Sequence, residues 1–405
     1  MENKDIFTLK DAQRTIGPRA FSTLIKPFGS TCNLDCTYCY YIDKALQYGG
    51  LESMMPEPLL ENYFRQYIGA VETGSVDFCW HGGEPLLCGK EYLRKAVALQ
   101  KKYAGNKAVT NSIQTNGTLV DEDWCRFFAD NGFLVGLSID GPADIHDAFR
   151  INKGGDATFA RVMKTVELLH RFDVQFNTLS VVSALSENRG AEIYRFLRDD
   201  AGSRFMQFLP AVEKVVDVPG LRRPVIVNPG YKGARIAEWS VSPEGYGRFL
   251  CDVFDEWFAN DVGTCFVQIF EATAAQLAGL PPGICTLGET CGDGLAVEHN
   301  GDVFPCDHFV YQGLKLGNIK ERTISDMYDS PERLKFALFK RNSLPRECLA
   351  CGFFRLCHGE CPKHRFDAGP NYLCKGLKMF FEHSSDKLGL IVNSPNLVLK
   401  ESIGD

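Results

Sequence analysis

Three cysteines near the start of the sequence have a spacing that suits an iron–sulfur cluster. Cys32, Cys36 and Cys39 follow the pattern C-x3-C-x2-C, and an aromatic residue, Tyr38, precedes the third. Three thiolates in a short loop can ligate three irons of a 4Fe–4S cube and leave the fourth iron open. An electron-carrying cluster normally has four cysteine ligands, so an open iron is typical of a reactive cluster. The triplet alone leaves a zinc loop without its fourth ligand, or a chance spacing, as alternatives.

Eight further cysteines are concentrated in the last third of the sequence. They are Cys285, Cys291, Cys306, Cys348, Cys351, Cys357, Cys361 and Cys374. The four within 348–361 follow C-x2-C-x5-C-x3-C, which would suit a zinc ribbon, and spacing alone favours grouping them together. Zinc on those four would leave the other four without a role, whereas eight ligands complete two four-thiolate sites. The remaining five cysteines lie within or beside apolar segments and are predicted to be small core residues.

Composition excludes several classes of protein. The 405 residues include 44 basic and 51 acidic ones, a net charge of −7, whereas a nucleic-acid-binding protein is typically basic. No run approaches the ~18 apolar residues of a membrane span, and the N-terminus carries charges where a signal peptide needs an apolar segment. We therefore expect a cytoplasmic protein that binds neither nucleic acid nor membrane. Because the cytosol keeps thiols reduced, 16 cysteines there indicate metal ligation rather than disulfides.

Short apolar runs alternate with amphipathic ones from residue 21 to 209. Strands are predicted at 21–26, 76–80, 109–114, 134–139, 174–182 and 204–209, and helices at 57–72, 89–104, 121–131, 157–172 and 187–199. Six strands interleaved with helices predict a parallel sheet with right-handed crossovers. Ligands of such sheets bind at the carboxyl ends of the strands, so residues that directly follow strands should converge on one site.

The pattern changes after residue 210. Residues 211–242 are aperiodic and predict a long surface insertion, and a helix is predicted at 243–259. A hairpin is predicted between 295–297 and 303–304, turning at Asn300-Gly301. The tail from residue 377 is predicted to be partly helical.

Polar segments follow the predicted strands in a particular order. They are Gly82-Gly83-Glu84-Pro85, Gln114-Thr115-Asn116-Gly117, Ser138-Ile139-Asp140-Gly141 and, further on, Arg150. Together with the cysteine triplet, these segments resemble the radical S-adenosylmethionine (SAM) superfamily. There the open iron binds the amino and carboxylate groups of SAM, and one electron cleaves SAM to methionine and a 5′-deoxyadenosyl radical.

The resemblance implies a role for each segment. The backbone of Gly82, Gly83 and Glu84 would contact the SAM amino group, where glycines permit a close approach. Ser138 would contact the ribose side, Arg150 would pair with the SAM carboxylate, and Leu209 would pack on adenine. Tyr38, Gln114 and Asn116 are expected to line the same site.

The later cysteines resemble the SPASM extension of radical SAM enzymes, which carries two auxiliary 4Fe–4S clusters. The resemblance implies that Cys285, Cys291, Cys306 and Cys361 hold one cluster, and Cys348, Cys351, Cys357 and Cys374 the other. The fold implied is α/β: a partial (β/α)6 radical-SAM barrel, then a small cysteine-rich SPASM domain with a β-hairpin and short helices. The expected divisions are 1–240 for the barrel, 241–284 for a connecting helical segment, 285–376 for the SPASM domain and 377–405 for a C-terminal helix and tail.

Among SPASM enzymes the sequence looks closest to the anaerobic sulfatase-maturating enzymes. The most telling segments are Cys39-Tyr40-Tyr41, residues 206–210 and Cys306-Asp307. Such enzymes oxidise a cysteine, and in some cases a serine, of a sulfatase to Cα-formylglycine without dioxygen. The resemblance implies that the radical takes a hydrogen from the target Cβ, that Asp307 is the base, and that Tyr41 assists by hydrogen bonding. His81, before the two glycines, departs from the glutamine of some relatives, and the sequence assigns it no role.

The implied partners are an unfolded or nascent sulfatase segment carrying C/S-x-P/A-x-R and an electron donor such as flavodoxin or ferredoxin. Two alternatives stay open. Other SPASM enzymes crosslink peptides through thioethers, but they commonly add an N-terminal peptide-recognition domain, and only about twenty residues precede the first strand here. A non-catalytic iron–sulfur regulator or electron carrier would have no need of an open iron.

Overall fold

The computed structural model describes residues 19–50, 53–221, 223–366 and 369–394. Residues 1–18, at the start of the expected barrel division, and 395–405, at the end of the expected tail, lie outside the described residues. The four expected divisions remain predictions.

A ten-stranded sheet organises the described chain. The described chain has thirteen strands, and all but β7, β8 and β9 belong to this sheet. They are β1 Ser22–Lys26, β2 Ser75–Trp80, β3 Ala108–Thr115, β4 Phe133–Ser138, β5 Phe176–Val182, β6 Phe205–Pro210, β7 Lys214–Val216, β8 Val225–Ile226, β9 Arg235–Ile236, β10 Phe266–Val267, β11 Gly294–Glu298, β12 Asp302–Phe304 and β13 Gly317–Asn318. The order is β10-β6-β5-β4-β3-β2-β1-β11-β12-β13. Strands β1 to β6 are parallel to their neighbours, which confirms the predicted parallel sheet, and each begins and ends within two residues of its predicted bounds.

Helices cover the sheet. They are α1 Glu57–Ala70, α2 Lys90–Tyr103, α3 Glu122–Asp130, α4 Ala143–Phe149, α5 Phe159–Arg171, α6 Gly190–Arg195, α7 Pro243–Asn260, α8 Gln268–Leu277, α9 Ile324–Tyr328, α10 Pro331–Asn342, α11 Arg346–Leu349, α12 Phe354–Cys357 and α13 Cys374–Val392. Side-chain capping marks the starts of α3, α7, α9 and α10; before α3, for example, the Asp121 carboxylate accepts from Trp124 N at 2.8 Å. Helix α4 was not predicted, because seven residues are too few for a periodic pattern. None of the helices in the described ranges is long and apolar enough to cross a membrane.

The predicted hairpin is present as β11 and β12, and Gly301 has φ +93° in its turn. That left-handed conformation is one that glycine adopts at little cost. The sequence did not indicate where the hairpin lies. Strand β11 pairs parallel with β1, with Lys26 opposite Glu298, so the hairpin extends the barrel sheet. The turn of the hairpin lies at the carboxyl end of β1, and Asp307, in the segment that follows β12, contacts the Lys26 side chain.

Residues 211–242 differ from the expected surface insertion. They contain a separate antiparallel sheet in the order β8-β7-β9. Its central strand is anchored in the protein, since Val212 and Val215 are buried. A buried ion pair between Glu213 and Lys363 joins this segment to the residues after Cys361.

Candidate active site

The first cysteine loop directly follows β1 and is fixed to the segment that contains Arg150. Asp35 N donates to Ile151 O at 2.9 Å and Thr37 N to Phe149 O at 3.3 Å. Cys32, Cys36 and Cys39 are all partly buried. Burial raises the pKa of Cys36, the charge of Arg150 opposes that rise, and the other two thiols add to it. The three thiols therefore lie close together, with the guanidinium beside them.

Gly82 and Gly83 lie against the backbone of this loop. A Cβ on Gly83 would lie 2.2 Å from the carbonyl oxygen of Thr31, and one on Gly82 would lie 2.6 Å from that of Gly29. Gly82 also has φ +122°. The sequence attributed these glycines to a close approach of SAM, and the structure shows a second requirement: any side chain here would push the cysteine loop away.

Glu84 ties the end of β3 to the same loop. Its carboxylate accepts from Leu86 N at 3.0 Å, Thr115 Oγ1 at 2.9 Å and Asn116 N at 2.8 Å. Burial raises the pKa of Glu84 to about 7, and these donors oppose the rise. Asn116 Nδ2 in turn lies 3.7 Å from Cys32 Sγ. The Glu84 side chain is thus engaged within the protein, and the Asn116 side chain contacts a thiol of the triplet.

Arg150 is held by Asp140, a residue to which the sequence assigned no role. Arg150 Nε and Nη2 donate to the two oxygens of Asp140 at 3.0 and 3.1 Å, and Tyr38 donates its hydroxyl to the same carboxylate. Burial opposes the charge of Arg150, but Asp140 holds the arginine pKa above its ordinary value. Nη1 has no hydrogen-bond partner in the described part of the chain, so one edge of the guanidinium can still bind an anion.

The other residues expected to contact SAM also lie at strand ends. Gln114 Nε2 donates to Ser138 Oγ at 2.9 Å, which links the ends of β3 and β4. Leu209, near the end of β6, is 40% exposed. The structure brings Gln114, Ser138 and Leu209 to the same edge of the sheet as the cysteine triplet, and their contacts with SAM remain a prediction.

Asp307 lies between the hairpin and β1. Its carboxylate forms an ion pair with Lys26 Nζ and accepts a hydrogen bond from the Tyr40 hydroxyl. The Lys26 side chain is fully buried. Burial opposes ionisation of Asp307, yet Lys26, with His81 and His308, holds the pKa of Asp307 well below its ordinary value. The carboxylate is therefore ionised at neutral pH, which leaves its oxygens free of a proton, and the same positive charges lower its affinity for one.

Tyr41 has a different environment from the one expected. It is 1% exposed and donates its hydroxyl to Glu298 rather than to Asp307. Consecutive residues entering the short helical turn at 42–48 point to different sides, so Tyr40 contacts Asp307 and Tyr41 does not. The Lys26 ammonium lies 3.4 Å from the centre of the Tyr41 ring. Tyr41 therefore supports the lysine that holds Asp307.

The eight later cysteines form two groups. Cys348, Cys351, Cys357 and Cys374 line one cavity. Burial raises the pKa of Cys306, and the thiols of Cys285 and Cys291 add to the rise. Burial likewise raises the pKa of Cys361, with additions from Cys306 and Cys291. Both observations agree with the interleaved grouping that the resemblance implies, which remains a prediction. Among the described residues, no three cysteine, histidine or acidic side chains converge closely enough to hold a single metal ion.

Sequence reasoning missed three groups of this site. Lys26 ends an apolar strand, and a charge at the carboxyl end of a parallel strand was a signal that could have found it. Asp140 follows β4 directly and offered the same signal. Glu298 could not have been found, because its proximity depends on the pairing of β11 with β1.

Comparison with protein families gives two matches. Residues 27–197 match the radical SAM superfamily, and residues 285–352 match an iron–sulfur cluster-binding domain, SPASM. The first match contains the cysteine triplet, and the second contains five of the eight later cysteines.

Relatives and solved structures match almost the whole chain. A serine-type anaerobic sulfatase-maturating enzyme from Bacteroides thetaiotaomicron is 43% identical over 367 residues, 89% of this chain and 88% of the relative. A cysteine-type enzyme from Clostridium novyi is 33% identical over 388 residues, 93% of this chain and 98% of the relative. The structure of anSMEcpe with bound AdoMet and Cp18Cys peptide is 31% identical, with a TM-score of 0.80, and the match covers 92% of this chain and 98% of that one. The chain belongs to the anaerobic sulfatase-maturating enzymes of the radical SAM superfamily.

Proposed function

We propose that this protein uses SAM to oxidise a cysteine or serine of a sulfatase segment to Cα-formylglycine without dioxygen. The observation that carries the proposal is the placement of Asp307. It directly follows Cys306 of one later cysteine group, and its pairing with Lys26 holds it at the strand ends where the first cysteine loop begins. A proton acceptor thus lies between a reactive-cluster loop and a group suited to remove electrons.

The residues present fit the cofactors that the family requires. The three thiols of the first loop suit a 4Fe–4S cluster with an open iron, and each later group supplies four thiols for a complete cluster. When bound, SAM and the first cluster supply the 5′-deoxyadenosyl radical that takes a hydrogen atom from the substrate. Arg150 binds the carboxylate of SAM through its open edge, and the exposed Leu209 offers an apolar surface to the adenine ring.

Asp307 completes the oxidation in this proposal. After hydrogen abstraction, its carboxylate accepts the proton of the target thiol or hydroxyl. An auxiliary cluster, held by the group of thiols that includes Cys306, would supply the acceptor for the second electron. Water then hydrolyses the thioaldehyde formed from cysteine to the aldehyde, with release of hydrogen sulfide. Lys26 and Tyr40 hold the carboxylate in place throughout.

The remaining partners belong to the same proposal. The substrate is an unfolded or nascent segment carrying C/S-x-P/A-x-R, and a flavodoxin or ferredoxin supplies electrons. The protein acts in the cytoplasm, with neither nucleic acid nor membrane as a partner.

The function is tested by anaerobic incubation of the reduced protein with SAM and peptides that carry the motif. The serine peptide should lose the mass of two hydrogens. The cysteine peptide should lose two hydrogens and exchange its sulfur for an oxygen. A peptide with alanine at the target position is the control. A crosslinked peptide, or no change in either peptide, would contradict the proposal.

Replacing Arg150 by alanine should weaken SAM binding by about 1.5–3 kcal/mol, the scale of a hydrogen bond to a charged group, or roughly 10- to 100-fold in Kd. Binding of SAM to the cluster-loaded protein is the measurement. Arg189→Ala is a matched control, because Arg189 also pairs with an aspartate, Asp144, but at the surface. Equal affinities in the two variants would remove Arg150 from the site.

Iron content should reveal how the later cysteines are grouped. Three 4Fe–4S clusters hold about twelve irons. Cys348 and Cys374 line one cavity, so replacing both by alanine should remove about four irons. Replacing Cys348 and Cys361 should remove about eight, since the two belong to different groups. Loss of only about four irons in the second variant, or stoichiometric zinc in the wild type, would contradict this grouping.

A further inference from the structure

His81 occupies the strand end next to Lys26. It directly follows β2, and its backbone N donates to Ile25 O at 2.9 Å. The charges of Asp307, Lys26 and Glu298 affect the pKa of its ring, and the His81 ring in turn affects the pKa of Asp307. Because Ile25 lies opposite Trp80 in the parallel pairing of β1 and β2, His81 lies beside Lys26, whose side chain binds Asp307.

The backbone fixes which ring nitrogen of His81 carries the proton. Gly82 N donates to His81 Nδ1 at 2.7 Å, so Nδ1 is the acceptor and the proton lies on Nε2. Burial lowers the pKa of His81, which keeps the ring neutral near pH 7. Nε2 has no hydrogen-bond partner within the described ranges. The ring thus presents one free N–H donor.

The neighbouring hydroxyl donors are already engaged. Tyr40 donates its hydroxyl to Asp307, and Tyr41 donates its hydroxyl to Glu298. The Lys26 ammonium is held at Asp307 by an ion pair, and His81 adds a neutral N–H donor beside it. A substrate group delivered to the Asp307 carboxylate would meet this N–H.

We propose that the Nε2–H of His81 determines specificity by binding the side-chain oxygen of a target serine, so that the protein accepts serine as well as cysteine. This inference rests on the proposed function and names its substrate class. A hydroxyl oxygen is a good hydrogen-bond acceptor, whereas sulfur is a weak one. A hydroxyl is also a much weaker acid than a thiol, and it gains more from a donor that stabilises the negative charge developing as its proton leaves.

The test compares two substitutions of His81 on two peptides that differ only in serine or cysteine at the target position. His81→Leu removes the donor and keeps much of the volume, and His81→Gln keeps an N–H donor. In His81→Leu, kcat/KM for the serine peptide should fall by about 100-fold, as expected when one donor to a developing oxyanion is lost. For the cysteine peptide the fall should be about 10-fold smaller. His81→Gln should recover most of the serine activity.

Iron content should stay at the wild-type level, and the two peptides are compared at equal SAM binding and equal 5′-deoxyadenosine formation without peptide, with His383→Leu on α13 as the control. Equal losses on both peptides in His81→Leu, or no recovery in His81→Gln, would overturn the inference. A wild type that converts cysteine but not serine would also overturn it and leave the proposed function standing. A wild type that converts neither peptide would overturn both.

Discussion

Asp307→Asn is expected to cleave SAM and yet form formylglycine about 10²–10⁴-fold more slowly than the wild type, the usual effect of losing a positioned acid–base group. Asparagine has the shape of aspartate but cannot accept the proton. Because the base acts only after hydrogen abstraction, 5′-deoxyadenosine should still form. The ratio of 5′-deoxyadenosine to formylglycine is the measurement, and it should rise by nearly the full factor.

Asp307→Asn also leaves buried Lys26 without its anion, which destabilises the protein. The variant must therefore be compared at equal iron content and equal SAM binding. Asp386→Asn, at an exposed position on α13, is the control for loss of a carboxylate. Formylglycine at the wild-type rate in an intact Asp307→Asn protein would place the base elsewhere.

Replacing Cys32, Cys36 and Cys39 together by alanine should abolish SAM cleavage completely. The loop would then have no thiolate with which to bind its cluster, so the iron content should fall from about twelve to about eight. The two later groups should keep their irons, because neither includes a cysteine of the loop. SAM-cleavage assays and iron analysis of the same preparation give the measurement.

Cys251→Ala is the matched control for this variant, since Cys251 is partly buried and belongs to none of the three groups. It should keep both its iron and its activity. SAM cleavage by the triple variant, or loss of all iron, would contradict the independence of the three groups.

The strands and the location of the site were predictable from local sequence. Each strand is a short apolar run bounded by turns, so β2 and β4 lie almost where they were expected. A parallel sheet brings strand ends to one edge, and this rule alone placed Ser138 and Gly82 near the cysteine loop.

What could not be predicted depends on contacts between distant segments. Nothing in residues 294–298 indicates that they pair with β1, about 270 positions earlier, yet this pairing brings Asp307 to Lys26. The choice between Tyr40 and Tyr41 depends on a turn of the backbone that the sequence does not specify. The predicted interleaving of the later cysteines likewise depends on contacts between distant segments, because spacing alone favours a different grouping.

The central claim is hydrogen abstraction from the target Cβ followed by oxidation to the aldehyde. The most direct test uses a C/S-x-P/A-x-R peptide with two deuterium atoms on the target Cβ, incubated anaerobically with reduced protein and SAM. We predict that 5′-deoxyadenosine gains one deuterium and that the formylglycine peptide, formed in equal amount, keeps the other. Deuterium-free 5′-deoxyadenosine formed alongside an unchanged peptide, or a product that retains both deuterium atoms, would contradict the account.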